Sequence, residues 1–176
     1  LVQNGSTAYN WVINAGHFVH DDDDAAGGIY YLQQDDFSDS GDLDNWVLTP
    51  TFDLSGASVP ILRYWDHVHW PTYADEHLVM YSTDYDGDVT TATWVLLNDS
   101  ICDNVNDGQS NPGNAWCNYE FALPSEANLT IAFKYGGDYA SDWLIDDIKV
   151  FDNSAVAADW AVSSMGTTAT LSISGL

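Results

Sequence analysis

The chain has 176 residues, 45 % hydrophobic and 14 % aromatic, enough to fill one core and too apolar for a disordered segment. Its 27 acidic residues stand against three basic ones, Arg63, Lys134 and Lys149, for a formal net charge of −24. Nucleic acid and anionic lipid are bound through clustered Lys and Arg, so no nucleic-acid or membrane partner is expected. No apolar run approaches the roughly 20 residues that insert into and span a bilayer.

Short segments rich in Val, Ile, Tyr, Trp and Thr, divided by clusters of Asp, Gly, Asn and Ser, predict strands at 9–14, 29–33, 46–49, 59–66, 77–83, 93–97, 116–123, 129–135 and 143–151. No long segment keeps a helical period. Nine strands joined by turn pairs such as Asp86-Gly87 and Gly136-Gly137 predict an all-β, two-sheet antiparallel β-sandwich. Between the first two strands lies Asp21-Asp-Asp-Asp24, and Asp supplies 24 of the 27 acids. Its short carboxylate suits loops and Ca²⁺, which takes hard oxygen ligands. A generally acidic, solubilising surface accounts for most of these residues equally well.

Residues 59–65 are apolar in both registers apart from Arg63, as expected of a central strand covered on both faces. Beyond it, His67 and His69 alternate beside Trp70 and Tyr73, with His77 nearby. This pattern suits either Zn²⁺ or acid–base chemistry, or a histidine pair packing on aromatic rings. Trp70, Pro71 and Tyr73 also make a stacking surface for a sugar face or a protein partner. Asp84-Tyr-Asp-Gly-Asp88 lacks the spacing of an EF-hand and reads as a turn. Cys102 and Cys117 flank a polar loop outside any C-x-x-C pattern, and a loop-closing disulfide is preferred to free thiols, which favours an oxidising compartment. No G-x-S-x-G, H-E-x-x-H or phosphate-cradling loop is present, so no enzyme activity is expected.

In 129–135, Leu129, Ile131, Phe133 and Tyr135 alternate with Thr130, Ala132 and Lys134, placing the first set in the core. The same alternation over 143–151 puts Asp146 in register with Leu144, Ile148 and Val150. A carboxylate among apolar neighbours needs a cation or backbone N–H groups, and with three basic side chains in the chain a divalent ion is the favoured partner. Residues 1–152 are read as one module. Residues 153–176 are a linker and the start of a following module, or an extra edge strand.

Four phrases occur in order: Asp44-Asn-Trp-Val-Leu-Thr-Pro50, Ile61-Leu-Arg-Tyr-Trp65, Val79-Met-Tyr-Ser-Thr-Asp-Tyr-Asp-Gly-Asp88 with Ala92-Thr-Trp94, and Ile131-Ala-Phe-Lys-Tyr135 leading into Trp143-Leu-Ile-Asp-Asp-Ile-Lys-Val150. Together they resemble the choice-of-anchor J and cleaved-adhesin modules of bacterial surface proteins, distant relatives of MAM domains. The resemblance implies a jelly roll, an extracellular or cell-surface location, structural Ca²⁺, and tethering to other domains of a larger polypeptide. It implies Asp22 or Asp24 of the early acidic loop as Ca²⁺ ligands with Asp146 of the last strand, and Asp44 and Asp147 complete the candidates. The function expected is non-catalytic adhesion or recognition of a glycan or protein, with His67, His69, Trp70 and Tyr73 at the ligand. The alternatives are a purely structural spacer of a secreted hydrolase or protease, and a His-centred metalloenzyme.

Overall fold

A computed structural model describes residues 2–4, 10–15, 30–35, 43–68, 76–98, 116–137, 142–154, 161–165 and 168–172. They form two antiparallel five-stranded sheets packed face to face, a jelly-roll β-sandwich. The first sheet has the order β1 (Val2–Asn4), β4 (Leu43–Leu48), β9 (Thr130–Gly137), β6 (His77–Ser82), β7 (Val95–Leu96). The second has the order β2 (Val12–Ala15), β3 (Tyr30–Gln34), β10 (Trp143–Asp152), β5 (Pro60–Val68), β8 (Cys117–Ala122). Each of the nine expected strands has a counterpart. β1 was missed because three residues are too few to show a period. β11 (Ala161–Met165) and β12 (Thr168–Ser172) pair with each other as a separate two-stranded sheet.

β9 shows why the layers form. Leu129, Ile131, Phe133 and Tyr135 are fully buried in the inter-sheet core, as their alternation requires. Phe133 meets Tyr64 of β5 edge-on at 5.4 Å and Trp143 of β10 at 6.0 Å, so one ring of the first sheet clasps two of the second. The other face of β9 is covered as well. Trp46, Leu48, Met80 and Ala132 form a second apolar cluster with Val89, and Trp94 and Tyr85 pack on it. The segment 83–94 therefore folds back over the outside of the first sheet, and within it Trp94 Nε1 donates to the Val89 carbonyl at 2.9 Å. In its turn Gly87 has φ +116°, a conformation open to glycine. Asp84 and Asp88 are bound by hydroxyls and amides of Ser82, Thr90 and Thr93, which makes this a hydrogen-bonded turn.

β10 departs from simple alternation. Asp146 pairs with Trp65 and Lys149 with Arg63, so Asp147 and Ile148 together stand opposite Tyr64. This is a β-bulge, with Asp147 at φ +51° and its amide donating to Asp146 Oδ1 at 2.7 Å. The extra residue shifts the phase. Trp143 and Ile145 face the core before the bulge, and Ile148 and Val150 pack against it afterwards. The expectation that Asp146 shares a register with Ile148 and Val150 is therefore corrected: Asp146 follows Leu144 onto the outer face and is half-buried.

Candidate functional site

Polar side chains enter the core at the end of the sandwich where β5 finishes and β10 starts. β5 turns Leu62, Tyr64, Asp66 and Val68 inward, so Asp66 carries a carboxylate into an apolar layer and is 1 % exposed. Its Oδ2 accepts a hydrogen bond from Trp143 Nε1 at 3.3 Å. Burial, with the charge of Asp66 adding to it, raises the Tyr64 hydroxyl well above its ordinary pKa and keeps it protonated. The Trp143 ring lies 5.4 Å from Trp11 and 5.2 Å from the fully buried His77, which also meets Tyr135 edge-on at 5.3 Å. Asn45 donates to Gln34 Oε1 at 3.2 Å, tying β4 to β3 across the two layers. Asn98 accepts the Val79 amide at 2.6 Å and donates to the His77 carbonyl at 3.0 Å, fixing the start of β6.

On the outer face of the second sheet at the same end, Trp116 lies 5.6 Å from the buried His67 and 6.4 Å from Tyr31. Burial, and then the negative charge of Asp142, raise the pKa of the Tyr31 hydroxyl. Residues 36–42, 69–75, 99–115 and 138–141 are attached to strand ends here and lie outside the described residues. The described residues at this end form a floor of hydrogen-bonded polar side chains and packed rings.

Of the expected ligand residues, His67 is the next-to-last residue of β5, 1 % exposed and packed beside Trp116. His67 faces outward from the second sheet and His77 inward from the first, so these two do not converge on one metal. His69, Trp70 and Tyr73 lie outside the described residues, as do Asp22, Asp24 and Cys102. Cys117 is half-buried at the start of β8, and no cysteine is free among the described residues.

Asp146 and Asp147 line a groove with Ile13, Tyr30 and Ile148 beside the bulge. Asp44 is elsewhere. It lies on the first sheet, where it accepts a hydrogen bond from Trp46 Nε1 at 3.0 Å and pairs with Lys134 at 3.3 Å, so it does not join Asp146 and Asp147. Among the described residues no group of three or more His, Cys, Asp or Glu is arranged for a metal. The carboxylate that does enter the core, Asp66, was passed over because the predicted strand ended there. The signal was present: Leu62, Tyr64, Asp66 and Val68 continue one period-2 register.

No protein-family model matches the chain, and no curated protein matches it in sequence. Solved structures do match in fold. The K2 cleaved adhesin domain of Lys-gingipain (Kgp) aligns with a TM-score of 0.60 and 16 % identity over 85 % of this chain and 88 % of that one. The K1 cleaved adhesin domain of Lys-gingipain from Porphyromonas gingivalis W83 aligns at 0.58 and 14 % identity over 87 % and 90 %. TmCBM61, solved in complex with β-1,4-galactotriose, aligns at 0.53 and 15 % identity over 86 % and 88 %. At these identities the likeness is one of fold, and it places the chain among jelly rolls built like adhesin and carbohydrate-binding modules.

Proposed function

We propose that this chain is a non-catalytic recognition module of a larger extracellular or cell-surface polypeptide, and that it takes a glycan or protein ligand at the loop end of the sandwich. The observation that carries the reading is the floor built by Asp66, Trp143, His77, Trp116 and Tyr31 at the end of the sandwich where β5 finishes, the strand that Trp70 and Tyr73 follow in sequence. Buried polar groups and stacked rings hold strand ends rigid, which lowers the entropic cost of presenting aromatic side chains to a ligand. The adhesin and galactotriose-bound neighbours support the same reading by analogy of fold. A net charge of −24 disfavours anionic glycans, so a neutral sugar chain is the first choice.

Glycan-array screening followed by calorimetry, with β-1,4-galactotriose as first probe, tests this. Binding is expected to fall at least about tenfold in Trp70→Ala and Tyr73→Ala, because each ring contributes stacking area. An array with no signal above background would favour the spacer reading instead.

Structural Ca²⁺ belongs to the same proposal. Asp146 and Asp147 supply two carboxylates beside Tyr30, where residues 16–29 rejoin the sheet, and Asp22 or Asp24 would complete the six to eight oxygens Ca²⁺ takes. A Cys102–Cys117 disulfide would brace the segment before β8, and intact mass before and after reduction tests it.

A further inference from the structure

One cross-strand row on the inner face of the second sheet runs from Ile13 in β2 through Leu32 and Ile145 to Asp66. Exposure along it is 73 %, 8 %, 1 % and 1 %, so the core row runs out into solvent at the edge strand. Tyr30, in the neighbouring row, is 58 % exposed. Ile13, Tyr30, Leu32 and Ile148 line a groove of about 240 Å³ with Asp146 and Asp147 of the bulge, and Asp147 pairs with Lys149 at 3.6 Å. Among the described residues β2 is an edge strand with all four residues exposed, and it reads Val12-Ile13-Asn14-Ala15, without the charge or proline that normally blunts an edge. The opposite edge, β8, carries Glu120 paired with Arg63.

We propose that β2 and its groove receive an extended basic segment of a partner polypeptide, added as a sixth strand of the second sheet. Its apolar side chains lie beside Ile13 and Tyr30, and its cationic ones are held by the acidic surface. Backbone hydrogen bonds along the edge give affinity, and alternate side chains give selectivity. Charge complementarity selects this occupant. A second copy of this chain would bring two molecules of net charge −24 together, whereas a Lys- or Arg-bearing strand is attracted to a surface of that charge. The surface adjoins the proposed Ca²⁺ ligands Asp146 and Asp147 and shares Tyr31 with the floor, so its test uses a peptide and no glycan and is run both with Ca²⁺ and with chelator.

The experiment follows backbone amide resonances of the full chain at low salt during titration with a short peptide of alternating Val and Lys. Its controls are the Val/Glu analogue and a Val/Lys peptide methylated on alternate backbone nitrogens, which keeps the charge but cannot complete a ladder. Shifts confined to Val12–Ala15 and Tyr30–Gln34 are expected from the Val/Lys peptide alone. Affinity is expected to weaken about tenfold in Ile13→Ser, an exposed position whose change leaves the core intact. The proposal is overturned by absence of shifts, by equal binding of the methylated peptide, which would show charge attraction alone, or by unchanged affinity in Ile13→Ser.

Discussion

Phe133→Ala tests the clasp between the two sheets. The ring is fully buried in β9 and touches Tyr64 and Trp143 of the facing layer edge-on at 5.4 and 6.0 Å. Truncating a buried Phe removes its transfer free energy and leaves a cavity, together about 3–5 kcal/mol. The two edge contacts account for about 0.5–1.5 kcal/mol each within that loss. For a domain of this size each kcal/mol lowers Tm by about 2–4 °C, so a drop of roughly 6–20 °C is expected. Lys134→Ala, one residue along on the other face, removes a surface pair with Asp44 and a cation–π contact on Trp46, about 1 kcal/mol in all. Urea unfolding followed by tryptophan fluorescence measures both, with an unchanged m-value confirming comparable end states. If Phe133→Ala stays within about 1 kcal/mol of the parent, or Lys134→Ala costs as much, the register assigned to β9 and the two-layer core are wrong.

Three further outcomes are expected. Trp94→Ala should cost about 2 kcal/mol and raise dye binding to exposed apolar surface, because it uncovers Trp46 and Met80 on the first sheet; an unchanged melt would mean that 83–94 is not a cover. The Asp152 carboxylate accepts the Val59 and Ser58 amides at 2.8 and 3.1 Å, which hold its pKa below the ordinary carboxylate range. Asp84 and Asp88 are lowered in the same direction, by the Ser82 and Thr90 hydroxyls foremost. A carboxylate whose pKa is lower folded than unfolded stabilises the fold above the unfolded value and loses that contribution as pH falls through the folded one. Stability should therefore drop below about pH 4, less steeply in Asp152→Asn, and matching pH profiles would remove this account. Chelation should lower Tm and added Ca²⁺ restore it, by about 2.7 kcal/mol of stability at a hundredfold excess over Kd. Asp146→Ala should do the same without chelator, and superimposable melts with and without chelator would count against the Ca²⁺ proposal.

Much of the architecture was legible because strand periodicity is a local property. Leu129, Ile131, Phe133 and Tyr135 announce a core face by spacing alone, and the apolar 59–65 run announces a central strand, which pairs with β10 on one side and β8 on the other. The candidate site was less legible, because one bulge defeats period counting. With Asp147 and Ile148 sharing a single partner, every side chain beyond them changes face relative to a regular strand. The strand expected at 59–66 stops two residues short of the end of β5, which cuts the register Leu62, Tyr64, Asp66, Val68 before its last apolar member shows Asp66 to lie within a core face.

From the residues alone came the all-β class, the strand order along the chain, the acidic character and the aromatic supply, since each depends on composition or on neighbours a few positions apart. Only the tertiary structure decided that Asp66 and not Asp146 enters the core, that Asp44 and Asp146 lie on different sheets, that 83–94 covers the first sheet, and that Ile13 is left exposed at an edge. These depend on which strands pair and in which register. Residues as far apart as 66 and 143 meet only after the whole sandwich has closed.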